Sequence, residues 1–232
     1  MSLDIIKVTN GIYDVFVIKN DQYIGPRIAN GYEWDGWMRN DIVEHYKEDT
    51  DIIDIGANIG YNTLMFSDYG PVVSFEPVYH QIVNHNCKAN KLKNKVSVFP
   101  CALSNEIKQT EIYLPSHHVC RSNTHLNYGG TSFDHTGDAR GLSVDVHCDT
   151  LDNIYKGTPS VIKIDVEGHE LQVLEGAKET IKKHMPTILI ELHDFKESME
   201  EHIFLKDLGY DDPIERPEVM FLYRAKENFS TM

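Results

Sequence analysis

The chain has 232 residues, 41% of them apolar and 25% charged, enough for one α/β domain with a sizeable core. Its formal net charge of -14 repels phosphate backbones and anionic lipid, which argues against nucleic acid or a membrane as the main partner. No apolar run is long enough to span a bilayer, and Met1-Ser2-Leu3-Asp4 lacks the charged and apolar regions of a signal peptide, so a cytoplasmic location is expected.

Residues 12–18 and 22–24 read as strands around the polar turn Lys19-Asn20-Asp21. Residues 33–47 carry Trp34, Trp37, Met38, Ile42, Val43 and Tyr46 near helical spacing and read as a helix leading into the core. From residue 51, strand and helix alternate. Strands are predicted at 51–55, 72–75, 96–100, 161–166 and 187–192, with helices at about 61–67, 78–90, 168–184 and 196–207. A strand-like run at 110–114 and a returning strand at 144–147 flank a long polar segment, 115–142. Short closing strands are expected near 210–214 and 219–224. Alternating elements with near-continuous apolar strands predict a parallel sheet covered on both faces. No linker or repeat interrupts the chain, so residues 1–232 read as a single domain. Residues 1–50 lead into its core, and 115–142 is too long for a plain connection, as functional loops are.

The densest signal is Asp54-Ile55-Gly56-Ala57-Asn58-Ile59-Gly60, a strand end, a glycine turn and a helix start. In α/β proteins that junction holds nucleotide-like ligands. The spacing is not the dinucleotide pattern G-x-G-x-x-G. An acid at the strand end would repel a pyrophosphate but suits a ligand with a cationic amine, such as S-adenosylmethionine. Asp54, Gly56, Asn58 and Gly60 are therefore candidate cofactor-binding residues, although Asn58 could equally be a left-handed turn residue. Glu76, followed by Pro77, ends the second strand about twenty residues on, where a carboxylate accepts both ribose hydroxyls. Its alternative is a cap for the next helix. Cys101 and Ala102, past the third strand, could wall an adenine.

The fourth strand ends in Asp165-Val166-Glu167-Gly168-His169, and the fifth in Glu191-Leu192-His193-Asp194. Asp165 could face the reacting group or take a proton. His169 or His193 could be the general base, and His193 is preferred because it sits across from the expected donor position. Glu191 lies on the same side of its strand as His193. Glu167 reads as a helix-cap acid or a substrate contact. Within 115–142, Gly129-Gly130-Thr131-Ser132 with Arg121 and His125 suits a lid that hydrogen-bonds a hydroxylated substrate. His117, His118, His125, His135 and His147 crowd the same region with Cys120 and Cys148. They lack metal-ligand spacing, so no metal site is predicted there. Cys87 and Cys101 complete a set of free thiols.

Taken in order, Asp-Ile-Gly-Ala-Asn-Ile-Gly-Tyr (54–61), Phe-Glu-Pro (75–77), Ala-Leu-Ser (102–104), Gly-Gly-Thr-Ser (129–132), Thr-Leu-Asp (150–152), Lys-Ile-Asp-Val-Glu-Gly-His-Glu (163–170), Leu-Glu-Gly-Ala (174–177) and Ile-Glu-Leu (190–192) resemble the FkbM-type methyltransferases. The resemblance covers about residues 33–195. It implies the class I methyltransferase fold, a Rossmann-like three-layer sandwich whose seven-stranded sheet is mostly parallel with an antiparallel last strand. It implies S-adenosylmethionine as donor and a hydroxyl oxygen as the usual acceptor, on a sugar, a glycan or a related small metabolite. By position Asp54, Gly56, Asn58 and Glu76 would bind donor, and Asp165 and Glu167 would border the reacting centre. Asp165, Glu167 or Glu191 could ligate a divalent metal, though none is predicted. The rival readings are an RNA or cap methyltransferase, an NAD-dependent oxidoreductase and a non-catalytic binding protein.

Overall fold

The computed structural model describes residues 3–115, 126–133, 142–193 and 198–226. A hairpin comes first, β1 (Ile5–Thr9) antiparallel to β2 (Asp14–Ile18), followed by α1 (Ile24–Ala29) and α2 (Met38–His45). Strand and helix then alternate through β3 (Asp51–Ile55), α3 (Tyr61–Phe66), β4 (Val72–Phe75), α4 (His80–Ala89) and β5 (Val96–Phe99). A small separate sheet of β6 (Ala102–Leu103), β7 (Lys108–Tyr113) and β8 (Ser143–Asp149) has the order β6-β8-β7. After α5 (Leu151–Ile154), the main sheet resumes with β9 (Pro159–Ile164), α6 (Glu170–Gly176), α7 (Lys178–His184), β10 (Thr187–Glu191), α8 (Met199–Asp207), β11 (Ile214–Glu215) and β12 (Met220–Tyr223).

The seven-stranded sheet has the order β11-β12-β10-β9-β3-β4-β5. Its strands from β5 to β10 are parallel, and β12 is antiparallel to both neighbours. The chain winds outward from β3 to β5 and then returns to β9 on the other side. The β3/β9 boundary is thus a topological switch point, where a crevice opens past the carboxyl ends. Alternation along the strands feeds two cores. Ile52, Val161 and Leu189 enter one, and Ile53, Ile162 and Ile188 enter the other, all fully buried. Burying each such side chain contributes about 1.5–3 kcal/mol, and the two layers hold the strand ends in fixed positions.

The expected order of the core strands is observed, with differences at the margins. Residues 22–24 are not a strand, and β2 pairs instead with the upstream β1. The helix expected from residue 33 begins only at Met38, because Asp35 has φ +49°, outside the helical region. The helix expected over 168–184 is two, broken at Ala177. There Gly176 packs so tightly that a Cβ would lie 1.9 Å from the Ser104 carbonyl oxygen.

Candidate functional site

The turn after β3 is shaped by close backbone contact. Gly56 (φ +77°) would place a Cβ 1.8 Å from the Asp165 carbonyl oxygen, so only glycine lets this turn lie against the end of β9. Gly60 (φ +85°) would put one 2.7 Å from Val83 of α4. Beside this turn opens a cavity of about 260 Å³, lined from the ends of β3, β4, β9 and β10, and also from the segments around Asp35, Thr131 and Glu218.

Glu76 lines the cavity, 5% exposed. Its Oε1 accepts from the backbone N–H groups of Val78 (2.7 Å) and Tyr79 (2.9 Å), and its Oε2 accepts from Asn58 N–H (2.8 Å). The cap reading is therefore realised, by a carboxyl that also borders the cavity. Burial pushes it up to about 7, against the three N–H groups that favour its charged form. Asn58 (φ +52°) donates from Nδ2 to the Tyr128 carbonyl at 3.2 Å, while its buried Oδ1 has no hydrogen-bond partner. Pro77, Cys101 and Ala102 line the same end of the cavity with Phe75, which stacks on Phe99 at 5.1 Å. Together they form an apolar slot in the lining.

The expected contact of Asp54 with a ligand is not what the structure contains. Asp54 is 0% exposed and does not border the cavity. Strand alternation turns it inward on the same side as Ile52. Its Oδ2 accepts from Thr63 Oγ1 at 2.5 Å, and its Oδ1 lies 3.5 Å from Lys163 Nζ. Lys163 is a functional candidate that the sequence reading missed. It is 2% exposed, donates to the Gly56 carbonyl at 2.9 Å and pairs with Asp165 at 3.2 Å. Burial alone would lower its pKa, but the carboxylates of Asp165 and Asp54 more than offset this and hold it above the ordinary lysine range. A lysine inside an otherwise apolar strand, in register with Asp54, was the available signal.

At the end of β9, Asp165 and Glu167 line the cavity. Glu167 (φ +55°) and Gly168 (φ +92°) reverse the chain, and Glu170 holds the reversal by accepting from Val166 N–H (3.3 Å) and Gly168 N–H (3.2 Å). Burial pushes Glu170 up to about 7. The reversal turns His169 away from the cavity. Its Nε2 lies 3.0 Å from Ser104 Oγ and its ring 4.4 Å from that of Phe133, so it does not reach the position expected of a base. His193 does not line the cavity but stands beside two acids that do, its side chain 59% exposed, with Nε2 3.6 Å from Glu167 Oε2 and 3.4 Å from Glu191 Oε2. The hydrogen bond to Glu167 raises its pKa despite partial burial. Glu191 lines the cavity and is held far above the usual carboxylate range by burial, with Asp165, Glu167 and Glu170 adding to the shift. One ligand atom from each of Glu167, Glu191 and His193 falls within 4.8 Å of the others, a set able to hold a divalent cation; Asp41, Glu44 and His45 form another on α2.

Thr131 lines the cavity, and its Oγ1 lies 2.8 Å from the Tyr79 hydroxyl. Ser132 does not line it. Its hydroxyl donates to the Glu167 carbonyl at 2.8 Å and so ties the loop to the end of β9. Arg121, His125, Asp194 and the histidines of 117–118 lie outside the described residues. Sequence reasoning also missed Asp35, Asn62 and Glu218, all of which line the cavity. Among the described residues, no helix is long and apolar enough to cross a membrane.

Comparison with known proteins gives a consistent picture. The family profile described as the methyltransferase FkbM domain matches residues 54–211. Hexuronic acid methyltransferase AglP of Haloferax volcanii is 24% identical over 155 residues, which are 66% of this chain and 59% of that protein. The chain therefore spans under two thirds of that relative's length. Among solved structures, a methyltransferase FkbM from Methylobacillus flagellatus KT superposes with TM-score 0.54 at 18% identity, covering 77% of this chain and 44% of that one. A putative rRNA-methylase from Clostridium thermocellum gives 0.50 at 11% identity, covering 83% and 96%. At these identities the structural likenesses speak to fold alone. That fold is the Rossmann-like, seven-stranded class I methyltransferase sheet that the sequence predicts.

Proposed function

We propose a function from one premise: the chain belongs to the FkbM methyltransferase family. It transfers a methyl group from S-adenosylmethionine to a hydroxyl oxygen, on a sugar, a glycan or a related small metabolite. The observation that carries this reading is the single cavity joining the glycine turn, Glu76 and the acids at the ends of β9 and β10.

The residues fit the donor. Phe75, Cys101 and Ala102 offer a slot for a flat ring, and Glu76 borders the space a ribose would fill. The turn at Gly56 leaves no room for a side chain of its own. Unpartnered acceptor atoms such as Asn58 Oδ1 await a donor group. When bound, S-adenosylmethionine supplies an electrophilic methyl carbon. The chain's own work is alignment and proton removal. Lys163 neutralises and orients Asp165 beneath the reacting centre. Glu167 and Glu191 hold His193 beside the cavity, where a neutral imidazole would take the proton of an acceptor hydroxyl. The relative described as a hexuronic acid methyltransferase supports a glycan acceptor. The net charge of -14 weighs against RNA.

The test is incubation with isotopically methyl-labelled donor and a panel of hydroxylated glycans and metabolites, read by mass spectrometry. Label is expected in at least one glycan, and not when Glu76 is changed to alanine. Tight donor binding with no transfer to any hydroxyl would favour the non-catalytic alternative.

A further inference from the structure

Six carboxyl side chains line the cavity: Asp35, Glu76, Asp165, Glu167, Glu191 and Glu218. Lys163 is the one cation among the described lining residues, and it is already engaged by the Gly56 carbonyl, Asp54 and Asp165. Such an excess calls for a positive group in the ligand. Since Asp54 is sealed from the cavity, a different acid must receive it.

Asp35 and Asn62 meet deep in the lining, 6% and 5% exposed. Asp35 Oδ2 accepts from Asn62 Nδ2 at 2.9 Å, and the neighbouring Glu218 carboxyl, in the same lining, raises the Asp35 pKa. Asn62 Oδ1 is buried with no hydrogen-bond partner, so a second acceptor at the same point lacks a donor. The unpartnered Asn62 Oδ1 and the two carboxyls of this corner are acceptors for N–H groups from outside. The corner is also in the right place. The apolar slot and Glu76 lie at the β4/β5 end, whereas Asn62 opens α3 beside the end of β3. A ligand with its adenosine in the slot would carry its amino-acid tail toward Asn62.

We propose that Asp35, Asn62 and Glu218 form the cradle for the α-ammonium group of the methyl donor, the role that the strand-end acid Asp54 was expected to fill. The proposal rests on the donor reading above. Asp35 and Glu218 both fall outside residues 54–211, so two of the cradle's three side chains come from segments flanking the family profile. The charge state of the corner agrees with it. Burial raises the Asp35 carboxyl well above its ordinary range, Glu218 and the charge of Asp165 raise it further, and Asn62 opposes them. An ammonium would supply N–H donors to these acceptors.

The test is calorimetric titration of the full chain and of Asp35→Asn and Glu218→Gln with three thioethers. S-adenosylhomocysteine carries amine and carboxylate, its decarboxylated analogue keeps only the amine, and methylthioadenosine has neither. Loss of a charged hydrogen bond weakens binding by about tenfold or more. Asp35→Asn is expected to weaken the first two ligands by that factor and leave methylthioadenosine unchanged; Glu218→Gln should follow the same pattern with a smaller effect. Equal weakening of all three would mean the cavity had merely deformed and would overturn the cradle. Unchanged affinity for the two amines would overturn it too, as would a change confined to acceptor KM. Failure of the unaltered chain to bind any of the three would remove the donor assignment itself.

Discussion

The two ends of the cavity are built differently. At the β4 end, polar side chains are held by backbone: Glu76 by three N–H groups, Asn58 through its Nδ2 by the Tyr128 carbonyl. At the β9 and β10 end, Asp165, Glu167, Glu191 and His193 mainly face one another and Lys163. A backbone-held site is preformed and selects by shape, as suits a constant cofactor. A site of mutually facing charges is unfinished until something enters, which suits a reacting centre where protons move. Lys163 is the hinge between the two, since it touches the glycine turn and the end of β9 together.

The largest expected effect is therefore at that hinge. Lys163→Met leaves Asp54 and Asp165 without their cation, and breaking a buried ion pair costs about 3–5 kcal/mol. Urea unfolding should show that loss together with lost donor binding; a variant as stable as the parent would disconnect the two ends. Next comes the glycine turn. Gly56→Ala forces a Cβ against the Asp165 carbonyl and into a left-handed backbone, a cost of about 1–3 kcal/mol or more. It should weaken adenosine-containing ligands before it alters the chemical step.

At the other end, His193→Ala should slow turnover by about a hundredfold, the low end of a general-base contribution, with donor affinity little changed. Because Glu167 raises the His193 pKa, the base is protonated and idle in acid. Activity should rise with pH through a value above 6.5 and lose that limb in the variant. An unaltered profile would pass the role to Asp165. A smaller effect belongs to Glu76. Its folded pKa of about 7, above the ordinary 4.5, means that folding takes up a proton between those values. The stability due to the protonated form is thus present at low pH and lost as pH rises toward 7. Ribose hydroxyls donate to the ionised form, so methylthioadenosine should bind severalfold more tightly at pH 8 than at pH 6, and the slope should vanish in Glu76→Gln. The smallest expected effect is that of chelation. With His193 as base, EDTA leaves turnover unchanged; loss restored by magnesium or manganese would instead assign Glu167, Glu191 and His193 to a cation.

The sequence disclosed the backbone-held end better than the other. β3 to β5 were legible because each is an apolar run bounded by glycine, proline or acid, and Glu76 because its distance from the glycine turn has a geometric meaning. Asp54 was misplaced although the alternation Ile52-Ile53-Asp54-Ile55 already set its direction: Ile53 and Ile55 share one core, and Asp54 must point with Ile52. His169 was misread because the left-handed pair Glu167-Gly168 cannot be inferred from a strand-end motif. Asp35 and Glu218 gave no signal, since each lies in a loop with left-handed backbone and they line one cavity only when the two chain segments fold over the sheet. The break at Ala177 likewise comes from tertiary contact, where Gly176 meets Ser104.

The most direct test of the donor site is a crystal structure with S-adenosylhomocysteine. The account predicts adenine in the slot at Phe75 and Cys101, ribose hydroxyls on Glu76 and the amino-acid tail running toward Asn62. A ligand bound elsewhere, or a Glu76 carboxylate without contact to the ribose, would contradict it.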